Sequence, residues 1–139
     1  MLKYQLLHPE ILHALGSAGH GAQVLIADGN YPFATKSNPE ARRVFLNLAP
    51  DVLTVTDVLQ VLVGAIPIEA AHVMVPDAGD EPPIFAEFRA LLSDMELQQL
   101  GRFPFYDAAR SPDVALVIAT GERRVYANIL LTIGVVPPA

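Results

Sequence analysis

The stretch Val24-Leu25-Ile26-Ala27 is apolar without a break, and Val114 to Ala119 repeats the pattern. A strand with one wet face alternates apolar and polar residues. An unbroken run this short therefore predicts a strand covered on both faces, the situation of a parallel sheet with helices packed against it. The segments between the runs supply those helices. Pro9 to about Ala18 begins with proline, which suits a first helical turn, and Ile11, Leu12, Leu15 and Ala18 form a stripe before Gly19. A second helix, capped by threonine or aspartate, is predicted from about Thr56 to Ala65, closed by Pro67, and a third from Ile84 to about Ser93 with Phe85, Phe88 and Leu92 on one stripe.

The remaining segments read as Val44 to Leu48, Ala71 to Val75 and Leu97 to Leu100 in strands, Pro104 to Ala109 in a short helix and Val125 to Ile133 in a final strand. Turn chemistry separates them at Asp28-Gly29-Asn30-Tyr31-Pro32, in the acidic loop from Pro76 to Pro83, and at Thr120-Gly121-Glu122. Strands alternating with helices predict an α/β protein, three-layer α/β/α with a mostly parallel central sheet. At 139 residues the chain suffices for a single domain, 1–139, because a second core would be too small to hold together.

Composition narrows the partners. Nine basic against fifteen acidic side chains leave a formal charge of −6, which repels nucleic acid and anionic lipid. The chain has no cysteine, which excludes a disulfide-stapled scaffold and thiolate metal sites. No run approaches the roughly 18 apolar residues of a membrane span, and the N-terminus is too short in apolar residues for a signal segment. A cytoplasmic location is the expectation. An apolar share of 52% with a mean hydropathy of +0.35 is high for so short a chain. Contact with another subunit and a sheet buried on both faces would each account for it.

Several familiar constellations are missing. Gly16, Gly19 and Gly21 follow a helix, whereas a dinucleotide fingerprint follows a strand. There is no phosphate-binding P-loop and no serine nucleophile elbow. His8 and His13 miss the i, i+4 spacing of two metal ligands on a helix, so no zinc is expected. What remains is a set of polar residues at segment ends. His20 stands between two glycines, so its imidazole can reach a ligand and move protons near neutral pH; capping of the preceding helix is the alternative. Asp28 ends a buried strand, where open α/β sheets place ligand-binding groups, although aspartate before glycine is also ordinary turn chemistry. Tyr126 and Asn128, two apart in the final predicted strand, would share a face and offer a phenol and an amide to a polyol, or else line a wet edge. Arg102 precedes Phe103-Pro104-Phe105-Tyr106 as a cation beside aromatics.

Gly19-His20-Gly21, Asp28 after its apolar run, Arg102-Phe103-Pro104-Phe105-Tyr106, Thr120-Gly121-Glu122 and Tyr126-Ala127-Asn128-Ile129-Leu130 together resemble the ribose pyranase / fucose mutarotase family, and they span essentially the whole chain. The resemblance implies interconversion of sugar anomers or ring forms without a cofactor. It also implies a ring-shaped homo-oligomer, often decameric, with sites near subunit boundaries. By that resemblance His20 is the proton donor, and Asp28, Arg102, Tyr126, Ala127 and Asn128 bind a monosaccharide. Arginine at position 102 resembles the fucose branch; ribose pyranases carry histidine there. Ribose pyranase activity and non-catalytic sugar binding linked to transport are the alternatives. Geometry poses one question: if residues 21–27 are extended, His20 and Asp28 lie about 20 Å or more apart. Either the glycines fold His20 back over the sheet, or Asp28 serves a neighbouring subunit's site or only orients its loop.

Overall fold

A computed structural model describes residues 1–139 and shows six strands in one sheet, with three helices on one face and one on the other. The strands are β1 (Gln23–Ala27), β2 (Arg42–Phe45), β3 (Ile68–Met74), β4 (Leu97–Leu100), β5 (Val114–Ala119) and β6 (Ile129–Ile133). They lie in the order β2-β5-β1-β6-β3-β4. β1 and β2 pair parallel to β5, and β3 pairs parallel to β4, while β6 alone runs antiparallel to both its neighbours. The mostly parallel α/β/α expectation is met. Both continuous apolar runs sit in the middle of the sheet, and Val24, Leu25, Ile26 and Ala27 are fully buried.

The helices are α1 (Pro9–Ser17), α2 (Val55–Val63), α3 (Ile84–Leu91) and α4 (Arg102–Ala109). At α1 the N-cap is His8, whose ring accepts the Ile11 N–H, and Pro9 fills the first turn, where no amide donor is needed. Thr54 caps α2 in a reciprocal box: its hydroxyl accepts the Asp57 N–H and the Asp57 carboxylate accepts its own. Both predicted helix starts thus lie within two residues of the observed ones. α1, α2 and α3 bury Ile11, Val58, Leu59, Leu62, Phe85 and Phe88 against one sheet face. Phe85 and Phe88 stack with ring centroids 6.1 Å apart. Truncating Phe88 to alanine is expected to cost about 3–5 kcal/mol through the cavity left behind.

Only α4 and the segment around Tyr31 cover the other face, through Phe105, Tyr106 and Ala109. One prediction fails at the last strand. It begins at Ile129 rather than Val125, because Tyr126 takes a left-handed backbone (φ 60°) that no strand accommodates. The connection from β5 to β6 has a further consequence. β1 lies between those two strands, so residues 120–128 must cross its C-terminal end.

Candidate functional site

That crossing builds a cavity of about 310 Å³ at the carboxyl end of β1, where its neighbour on one side is parallel and on the other antiparallel. Asp28 forms part of the wall and is 3% exposed. Its N–H donates to Asn128 Oδ1 at 2.8 Å, tying β1 to the start of β6, and its Oδ1 accepts the Asn30 N–H at 2.9 Å, closing the turn. Arg102, the first residue of α4, reaches the same cavity. Its Nε donates to Tyr106 Oη at 3.1 Å, and its guanidinium lies 5.3 Å from the Phe103 ring centroid and 5.6 Å from that of Tyr106. Tyr31 is locked in turn: its hydroxyl donates to the Lys36 carbonyl at 2.7 Å and its ring meets Tyr106 edge to face. Met74, Val125 and Tyr126 complete the lining. The cup therefore combines a carboxyl, an amide and a guanidinium with aromatic and aliphatic surface, which suits a small ligand bearing hydroxyls on an apolar frame.

Electrostatics sharpen this description. Burial pushes the Asp28 carboxyl above its ordinary value; the Asn30 N–H, the Asn128 amide and the Ala127 and Tyr31 N–H groups pull it back only in part. Burial, then the neighbouring Tyr106, raises the Tyr31 phenol, so it is neutral at any physiological pH. The bond to Tyr106 raises Arg102 and keeps it charged.

The residues named from sequence fall into two groups. Asp28, Arg102, Tyr126 and Asn128 converge on the cavity. Ala127 is fully buried in the core beneath it. The expected strand pairing of Tyr126 with Asn128 on one face does not hold, since both precede β6 and Tyr126 sits in a left-handed turn, yet both residues line the cup. His20 lies elsewhere. Gly21 N–H donates to the Ile133 carbonyl and Ile133 N–H to that of Ala22, so the histidine turn sits at the far end of β6 from Asn128. Gly19 (φ 126°) and Gly21 (φ 85°) both adopt conformations that side-chain-bearing residues avoid, and between them they turn the imidazole outward. With β1 extended, His20 and Asp28 of one chain are about 20 Å apart. His20 is 59% exposed and does not cap α1; its Nε2 lies 3.0 and 3.2 Å from the two carboxylate oxygens of Glu69 at the start of β3.

Glu69, Tyr31, Met74 and Tyr106 were not singled out in the sequence. Tyr106 ends the Arg102-to-Tyr106 run and Tyr31 follows the Asp28 turn, so proximity to marked residues was a usable signal for both. Glu69 and Met74 have none, because β3 reaches them only through sheet pairing. No three His, Asp or Glu side chains converge as a metal site. A larger cleft of about 540 Å³ shares only Asn30 with the cup and has no aromatic residue to meet an apolar ring face.

Comparison with known proteins places this geometry. The profile of the RbsD / FucU transport protein family matches residues 1–136. A fucose mutarotase of Danio rerio is 31% identical over 96% of this chain and 92% of its own length, and one of Bos taurus is 32% identical over the same shares. Among solved structures, a fucose mutarotase from Streptococcus pneumoniae in complex with L-fucose superposes with a TM-score of 0.83 at 26% identity, covering 98% of this chain and all of that one. The Bacillus subtilis RbsD complexed with D-ribose gives 0.84 at 26% identity, covering 99% and 100%.

Proposed function

The chain belongs to the RbsD / FucU transport protein family, and we propose that it is a sugar mutarotase, an isomerase that interconverts the anomers of a free monosaccharide with an L-fucose-like sugar favoured. The observation that carries this reading is the cup in which Asp28, Arg102, Tyr126 and Asn128 meet at the end of β1. Its aromatic and aliphatic wall suits the apolar ring face of a sugar, and its polar groups match hydroxyls.

Changing the anomer of a cyclic sugar means opening the hemiacetal, rotating the carbonyl and closing on the other face. Opening needs a proton at the ring oxygen and removal of one from the anomeric hydroxyl. An imidazole can give and retake protons near neutral pH, and such help is worth about 10²–10⁴-fold. His20 gives the first proton, and Tyr126 or a water takes the second. Asp28, Arg102 and Asn128 hold the remaining hydroxyls so that the reacting atoms stay aligned. Because His20 lies at the other end of its own β1, it acts in this reading on the cup of a neighbouring copy, within a ring-shaped and decameric homo-oligomer. The exposure of the His20–Glu69 pair and the high apolar content support such an arrangement. Glu69 orients the imidazole. No helix is long and apolar enough to cross a membrane, and we place the reaction in the cytoplasm.

The test is saturation transfer between α and β anomer signals for fucose, ribose and galactose with and without protein. The expected result is accelerated exchange, greatest for fucose. Binding of a sugar without any change in exchange would make this a binding protein instead. The ribose-bound neighbour favours a second reading, ribose pyranase, and fastest turnover of ribose in that panel would establish it.

A further inference from the structure

Residues 120–128 do more than cross β1: their polar groups grip the backbone on both sides of Asp28. The Thr120 hydroxyl donates to the Ala27 carbonyl at 2.8 Å, and the Glu122 N–H donates to that hydroxyl at 3.3 Å. On the other side the Gly29 N–H donates to the Glu122 carbonyl at 2.9 Å. A Cβ on Gly29 would crowd that carbonyl at 3.2 Å, and one on Gly121 would collide with the Ala49 carbonyl at 2.2 Å, so the approach at 121 is built for glycine. The Glu122 side chain is 1% exposed, yet it has four donors. It accepts from Arg124 through its backbone N–H (3.1 Å), Nε (2.9 Å) and Nη2 (3.0 Å), and from the N–H of Val55, the first residue of α2, at 3.3 Å. Arg124 also pairs with Glu87 of α3. Two residues further on, Tyr126 holds its left-handed backbone, a state that costs on the order of 1–3 kcal/mol unless its surroundings enforce it.

We infer that Glu122 and Arg124 are a positioning pair for the sugar cup, the buried carboxylate anchoring the residue whose backbone holds the Asp28 turn and the arm that presents Tyr126. The inference rests on the cup being the sugar site. A buried ion pair is weak evidence for stability, because apolar residues of similar size often serve as well. What an apolar pair cannot do is gather donors from α2 and the 122–124 backbone onto one point. That requirement is geometric. Small errors of placement at a reacting centre can cost about 100-fold in rate.

The experiment compares Glu122→Gln, Arg124→Gln and Arg124→Lys for kcat and KM of anomer exchange, thermal unfolding, and the Tyr126 ring signals in NMR spectra of the sugar-free protein, assigned with Tyr126→Phe. Glu122→Gln is expected to lose kcat by about 10- to 100-fold with displaced Tyr126 signals. Arg124→Lys should retain more kcat than Arg124→Gln, since it keeps the charge but not the planar fork. A folded Glu122→Gln protein with kcat within about twofold of the parent and unmoved Tyr126 signals would overturn the inference. So would a loss of activity matched by the unfolded fraction. Should Glu122→Gln fail to fold, Arg124→Gln decides by the same readings, its side chain being partly exposed. A parent protein that turns over no sugar refutes the sugar reading, and the Tyr126 signals of the variants still decide the positioning.

Discussion

The two ends of β1 are built in opposite ways. At the carboxyl end Asp28 is buried, its amide held by Asn128 and its carboxyl by Asn30, with aromatic rings packed edge to face around the cavity beside it. At the amino end His20 stands between two glycines, more than half exposed, with one carboxylate partner that is itself nearly half exposed. Groups that must recognise hydroxyls gain from being fixed in advance, because a loose donor spends binding energy on being ordered. A group that must reach a second surface gains from exposure instead. The contrast fits a divided site, with recognition inside one copy and proton transfer offered to the next.

Removing the imidazole should give the largest effect. His20→Ala is expected to lower kcat for anomer exchange by about 10²–10⁴-fold while leaving sugar affinity and thermal unfolding near the parent values. Undiminished exchange in the folded variant would reject the role. Mixing tests the division itself. If His20 serves a neighbour, subunits of His20→Ala and Asn128→Ala, unfolded and refolded together and assayed at sugar well below the raised KM, regain full exchange at about a quarter of the sites. If each chain supplies its own histidine, the mixture exchanges no faster than the average of its two parts at the same sugar concentration.

The carboxyl end was the more legible of the two, and for a physical reason. Asp28 follows a run whose burial is written in its composition, and sheets of this type put ligand groups at strand ends. The Arg102-to-Tyr106 segment announced its aromatics directly. Tyr126 lines the cup for a reason local sequence does not show, since the chain makes a left-handed turn where its composition predicts a strand. An aromatic in that conformation is held by tertiary bonds such as those of Glu122, which local propensity cannot register. Glu69 was invisible because its partner lies 49 residues away. The two meet only because β6 brings the start of β3 beside the histidine turn. The strand pairing that creates this meeting is a property of topology, and the order β5-β1-β6 was not written in any single segment.

Asn128→Ala attacks the recognition end alone. It leaves the buried Asp28 N–H without its acceptor, at a cost of about 1–3 kcal/mol in stability, and should raise KM more than it lowers kcat. Asp28→Asn separates binding from stability. A carboxyl whose pKa is raised in the fold holds its proton more tightly there than in the unfolded chain. Its favourable contribution is therefore present at low pH and is lost as pH rises through the folded value. Asparagine keeps an oxygen for the Asn30 N–H without the charge. The variant is expected to melt a few degrees above the parent at neutral pH, to converge with it below about pH 4, and to bind sugar poorly. A lower melting temperature at neutral pH would show that the carboxylate is stabilised by its neighbours after all.

Glu69→Gln probes the exposed end and should have the smallest effect. Both members of the pair are substantially solvated, so water already screens the attraction and the loss of stability should stay below about 1 kcal/mol. The amide can still accept a hydrogen bond from Nε2 through its oxygen, which preserves the ring orientation, but it lacks the carboxylate's charge. The variant should therefore exchange anomers a few-fold more slowly. An unchanged kcat would mean that Glu69 touches the histidine only in the isolated chain. In that case the carboxylate would be released when the imidazole enters a neighbour's cup, and the two ends of β1 would differ still more sharply than they do in one copy.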